Sequence, residues 1–131
     1  MVRHRVLVVD DEESNRTFAA QVLSEANYEV VSASDGPEVL RIVEQQSPFD
    51  LFVVDVLMPQ MRGDELGHRL ALRYRDAKVL YFTGDGQWVA ASPKLTPREA
   101  IVEKPATLDE LLQAVSRLLF GHPDGLAYEA T

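Results

Sequence analysis

Residues 5–13 read Arg5-Val6-Leu7-Val8-Val9-Asp10-Asp11-Glu12-Glu13, an aliphatic run that stops on four consecutive acids. The run shows none of the polar alternation of a sheet with one wet face. A near-continuous apolar strand is what a parallel sheet covered on both faces requires. Four further apolar stretches rich in β-branched residues recur at Glu29 to Ala33, Leu51 to Val54, Val79 to Phe82 and Ala100 to Val102, and three of the five lack polar alternation. These predict five short strands.

Between the strands the apolar spacing becomes helical. Phe18, Val22, Leu23 and Ala26 mark a first helix, Val39, Leu40 and Val43 a second, and Leu66, Leu70 and Tyr74 a third. The segment Asp85 to Ser92 allows a fourth helix of only one or two turns, because Pro93 and Pro97 forbid a regular continuation. In the last helix Thr107 and Glu110 have capping-box spacing, Leu108, Leu111, Leu112, Val115 and Leu119 form a stripe, and Gly121 and Pro123 end it. Strict alternation of strand and helix implies right-handed crossovers. The expected fold is α/β: a doubly wound five-stranded parallel sheet of order 2-1-3-4-5, a flavodoxin-like three-layer sandwich with a shortened fourth helix.

At 131 residues the chain has the length of one domain. Residues 1–120 are expected to form it, leaving residues 121–131 as a short C-terminal tail. With no cysteine, neither a disulfide framework nor a thiolate metal site is possible. No apolar run approaches the ~20 residues of a membrane span and no signal peptide is visible, so a cytoplasmic protein without membrane insertion is expected. The net charge of -8 would repel a phosphate backbone, so direct nucleic-acid binding is not expected.

Ligands of open parallel sheets bind beyond the carboxyl ends of the strands, where the winding reverses, here between strands one and three. Strand one ends in Asp10 and Asp11, and strand three in Asp55. Neighbouring strands lie about 4.8 Å apart, so these carboxylates converge on one pocket. Like charges that close raise a pKa unless a cation intervenes, and an all-oxygen donor set selects a hard ion, so a Mg2+ site is the economical explanation. Thr83 ends strand four and Lys104 follows strand five at the same edge. A hydroxyl and an ammonium beside a metal-bound carboxylate satisfy phosphoryl oxygens, which makes Asp55 a candidate nucleophile. Asp50, at the opposite end of strand three, reads as structural. Trp88 is expected to pack on its own domain, and His4, His68 and His122 form no site pattern.

Val8-Val9-Asp10-Asp11, Asp55-Val56-Leu57-Met58-Pro59 with Gly63, Thr83-Gly84 and Lys104-Pro105 together resemble the receiver domains of two-component signalling, over residues 5 to about 120. The resemblance implies a phosphorelay switch rather than an enzyme. Asp55 would accept a phosphoryl group from a phosphohistidine on a sensor kinase or histidine phosphotransfer protein. Asp11, Asp55 and the backbone carbonyl of Leu57 would hold Mg2+, with Asp10 acting mainly through a metal-bound water. Lys104 would pair with the phosphoryl group and Thr83 would move inward to it. The surface of the fourth helix, fifth strand and last helix would report the change to a protein partner, as a monomer or a phosphorylation-linked dimer.

Three features depart from the family pattern. Ile101 stands where an aromatic residue is common, the fourth helix is curtailed as in receivers attached to sensor kinases, and Leu57 offers no side-chain hydrogen bond to an attacking water. Asp85 is acidic and two residues beyond Thr83. The expectation is a persistent phosphoryl-aspartate with only slow self-dephosphorylation. A flavodoxin-like cofactor binder is disfavoured because four acids after strand one would repel a phosphate. An aspartyl phosphatase would place its nucleophile after strand one and carry a cap domain. A receiver-like module without phosphotransfer would have lost an acid, Thr83 or Lys104.

Overall fold

The computed structural model describes residues 3–46, 48–91 and 93–121. The elements run β1 (Arg5–Val9), α1 (Glu13–Glu25), β2 (Glu29–Ala33), α2 (Gly36–Gln45), β3 (Leu51–Val54), α3 (Gly63–Arg73), β4 (Lys78–Thr83), α4 (Gly86–Ala90), β5 (Glu99–Glu103) and α5 (Leu108–Phe120). All strand pairs are parallel, in the order β2-β1-β3-β4-β5. This is the expected doubly wound, flavodoxin-like arrangement.

The uniform hydrophobicity of the central strands has a simple cause. Val6, Val8, Leu51, Val53, Leu80 and Phe82 face one core, with Ala19 and Leu23 of α1 and Leu111 and Val115 of α5. Leu7, Val9, Phe52, Val54, Val79 and Tyr81 face the other, with Val39 and Val43 of α2 and Leu66 and Leu70 of α3. Alternate residues of one strand thus enter different cores, so both sets must be apolar.

Local signals set the helix ends. Asp35 caps α2 by accepting from the Glu38 amide at 2.8 Å, with Pro37 in the first turn. Thr107 and Glu110 form a reciprocal capping box at α5, and Gly121 at φ 73° terminates that helix in the left-handed region. Pro123 and the expected tail beyond Gly121 lie outside the described residues.

The structure corrects several boundaries. β4 and β5 each extend one residue further at both ends than their apolar stretches, because strand pairing recruits polar residues: Lys78 pairs with Leu51, Glu99 with Val79, and Glu103 with Thr83. α4 is a single short helix after Asp85, and Ser92 lies outside the described residues. Leu108, placed in the α5 stripe by spacing, is 52% exposed: it sits in the first turn, before the helix reaches the core. Trp88 packs as expected, edge-on to Tyr81 with ring centroids 5.1 Å apart. Asp50 accepts from the Arg5 amide at 2.8 Å and ties the amino end of the sheet.

Candidate functional site

Each strand delivers its chemistry to the carboxyl edge through parallel register. Val9 pairs with Val54, so Asp10 and Asp55 follow side by side; Tyr81 pairs with Val54 and Ile101 with Tyr81, which brings Thr83 and Lys104 to the same edge. Asp10, Asp55 and Thr83 are buried, whereas Asp11 is exposed at the mouth. One carboxylate oxygen from each of Asp10, Asp11 and Asp55 lies within 4.8 Å of the others.

Lys104 reaches into this group. Its ammonium lies 2.6 Å from Oδ2 of Asp10 and 3.7 Å from Oδ1 of Asp55. The other Asp10 oxygen accepts from the Glu12 amide at 2.9 Å, and the Asp10 carbonyl accepts from Arg16 at 2.7 Å. Asp10 is therefore largely committed to organising the pocket. Asp55 is less well compensated. Burial pushes its carboxyl up to about 6; the charge of Asp10 adds to this, Lys104 opposes it, Asp11 raises it further, and the Leu57 amide, hydrogen-bonded to it, lowers it.

Three carboxylates against one ammonium leave an excess of two negative charges. That excess, an all-oxygen donor set and one exposed carboxylate at the mouth fit a hard divalent cation that keeps several waters. Thr83 lies beside this group rather than within it. Its hydroxyl accepts from the Asp85 amide at 3.0 Å, and its carbonyl accepts from the Lys104 amide at 2.8 Å.

The sequence matches the response regulator receiver domain family over residues 6–116. The chain belongs to this family. It is 38% identical over 116 residues to the CAI-1 autoinducer sensor kinase/phosphatase CqsS of Vibrio cholerae, covering 86% of this chain but 17% of that protein. It is 32% identical to the response regulator receiver protein CpdR of Brucella abortus, covering 88% of this chain and 96% of the relative. The solved response regulator TrrA of Thermotoga maritima, in complex with Mg2+ and BeF, superposes with a TM-score of 0.76 at 29% identity, covering 88% of this chain and 99% of that one. This receiver domain thus shares its family with signalling switches of two-component systems. Among the described residues no helix is long and apolar enough to cross a membrane.

Three contributors to the site escaped the sequence reading of roles. Arg16 reaches Asp10 from α1, six residues away, a separation that matches no helical or turn pattern. Gly63 was legible as a motif residue but not for its reason: a Cβ there would lie 1.9 Å from the Asp55 carbonyl oxygen, so α3 starts against the backbone of the site. Arg62, just before it, pairs with Asp85 across two loops, at 3.6 Å. Asp85 also caps α4 by accepting from the Trp88 amide at 3.1 Å.

Proposed function

We propose that this receiver domain, residues 1–120, is a phosphorelay switch that takes a phosphoryl group onto Asp55 from a phosphohistidine of a sensor kinase or phosphotransfer protein. The observation that carries the reading is the packing of the Asp10, Asp11 and Asp55 carboxylates within 4.8 Å of one another, with the Lys104 ammonium against two of them. Similarity to a sensor kinase, a stand-alone receiver and a Mg2+–BeF complex supports it.

Asp11, Asp55 and the Leu57 carbonyl would hold Mg2+, with Asp10 acting through a bound water. The ion, when bound, supplies charge neutralisation for the carboxylates and the incoming phosphoryl oxygens. An Asp55 oxygen attacks phosphorus in line. The phosphorus–nitrogen bond of the donor breaks, its electron pair stays on the imidazole, and that nitrogen takes up a proton. Lys104, held between Asp10 and Asp55, transfers its contact to a phosphoryl oxygen. Thr83 turns its hydroxyl to donate to another, which disturbs its bond from the Asp85 amide and hence the start of α4. The chain acts as a switch with slow self-dephosphorylation, altering the surface of α4, β5 and α5 that a partner protein reads, as a monomer or a phosphorylation-linked dimer in the cytoplasm.

Incubation with acetyl phosphate and Mg2+, followed by intact-mass measurement, tests this. Wild type gains one phosphoryl group, and Asp55→Ala or omission of Mg2+ abolishes the gain. Equal uptake by wild type and Asp55→Ala would refute the assignment.

A further inference from the structure

We propose that Arg62 is a positioning residue that prolongs the life of phosphoryl-Asp55 by holding the carboxylate of Asp85 away from the phosphoryl group. The inference rests on the phosphoryl-transfer reading above and names a determinant of its lifetime.

Two loops follow the strand ends that carry Asp55 and Thr83. The loop after β3 carries Arg62, one residue before Gly63, which lies against the Asp55 carbonyl. The loop after β4 carries Asp85, whose amide donates to the Thr83 hydroxyl at 3.0 Å. Asp85 is thus the carboxylate nearest to Thr83 along the chain, and its backbone is tied to the Thr83 side chain. Both its oxygens are engaged: Oδ1 accepts from the Trp88 amide at 3.1 Å, and Oδ2 faces the Arg62 guanidinium at 3.6 Å. Arg62 is anchored in turn by Asp64 at 3.1 Å.

Hydrolysis of phosphoryl-Asp55 requires a water whose oxygen attacks phosphorus as the bond from phosphorus to the Asp55 oxygen breaks. The carboxylate recovers the electron pair, and the water's proton leaves with inorganic phosphate or passes through a base. A carboxylate with a free oxygen beside the phosphoryl group accepts a hydrogen bond from that water and orients it. In this arrangement Oδ2 is the Asp85 oxygen that would serve, and Arg62 occupies it. Leu57, half-exposed at the mouth, has no polar side-chain atom to replace it. The same guanidinium neutralises Asp85 beside an added dianion.

The test uses the full chain phosphorylated with acetyl phosphate and Mg2+, freed of donor, and followed by intact mass for loss of the phosphoryl group. Arg62→Gln decays about threefold faster, the scale set by losing a weak, partly exposed ion pair. Arg62→Lys retains most of the wild-type lifetime. Asp85→Asn decays no faster than wild type, and in that background Arg62→Gln has no further effect, which separates positioning from general loosening of the fold. Phosphorylated wild type and Arg62→Gln decaying alike, or equal acceleration by Arg62→Gln in both backgrounds, would overturn the inference alone. No uptake by wild type would remove the phosphoryl-transfer reading and this inference with it.

Discussion

The β1–β3 seam of the sheet and the edge formed by β5 and the neighbouring α4 are built to different tolerances. Every residue of β3 is buried, and four of the five in β1 are. β5 has no buried residue among its five, and neither does α4. The seam carries the three clustered carboxylates, where a displacement of an ångström changes repulsion and metal affinity. The edge carries Asp85 and Lys104 beside the buried Thr83 at the end of β4, the groups that change partners in the proposed switch. Rigidity sits where charge is stored, and the sparsely buried α4 and β5 flank the groups that would exchange contacts, because such elements reorganise at lower cost.

The sharpest way to break this contrast is at the seam. Gly63→Ala puts a Cβ 1.9 Å from a backbone carbonyl that cannot move without displacing Asp55. We expect a loss of about 3 kcal/mol or more in denaturant unfolding, since backbone offers no rotamer escape. A wild-type midpoint in that variant would show that the seam is softer than its burial indicates.

The next effect concerns the charge stored there. With its carboxyl pushed up to about 6, above the ordinary carboxylate range, Asp55 favours folding in its protonated form. Its contribution is fully present below about pH 4 and is lost as pH rises through about 6. Asp55→Asn, neutral at all pH, should therefore stabilise the metal-free protein at pH 7.5 by about 2 kcal/mol and by little at pH 4. Added Mg2+ should stabilise wild type and narrow the gap. A metal-free stability difference independent of pH would contradict this account.

At the edge the expected loss is smaller. Trp88 is partly exposed and packs mainly on Tyr81, whose hydroxyl donates to Glu99 at 3.2 Å. Burial and the neighbouring Glu99 charge hold that phenol above its ordinary range. Trp88→Ala should cost about 1 kcal/mol, well under the 3–5 kcal/mol typical of a core aromatic. Because Trp88 is the single tryptophan of the chain, its fluorescence in the wild type reports the edge directly. It should change on phosphorylation while the sheet's far-ultraviolet circular dichroism does not.

Much of this was legible before any coordinates. Periodicity predicted β1, β2 and β3 at their observed limits; in the central β1 and β3 this follows because both cores draw on consecutive residues. It shortened β4 and β5, because strand pairing also recruits polar residues, Lys78 and Thr83 in β4 and Glu99 and Glu103 in β5, that hydrophobicity does not mark. The spacing of acids, hydroxyl and lysine at successive strand ends indicated the pocket, since parallel register converts chain order into a shared edge.

By itself, then, the sequence determined the fold class, the five strands, the helix cap at Thr107, and the membership of the pocket, all consequences of local pattern or of strand order. Only the tertiary structure decided how the pocket is wired. That Arg16 holds the Asp10 carbonyl, that Gly63 is a contact with Asp55, and that Arg62 occupies an oxygen of Asp85 depend on side-chain directions from elements distant in sequence. No periodicity encodes those directions, because they arise where packed helices and loops meet in space.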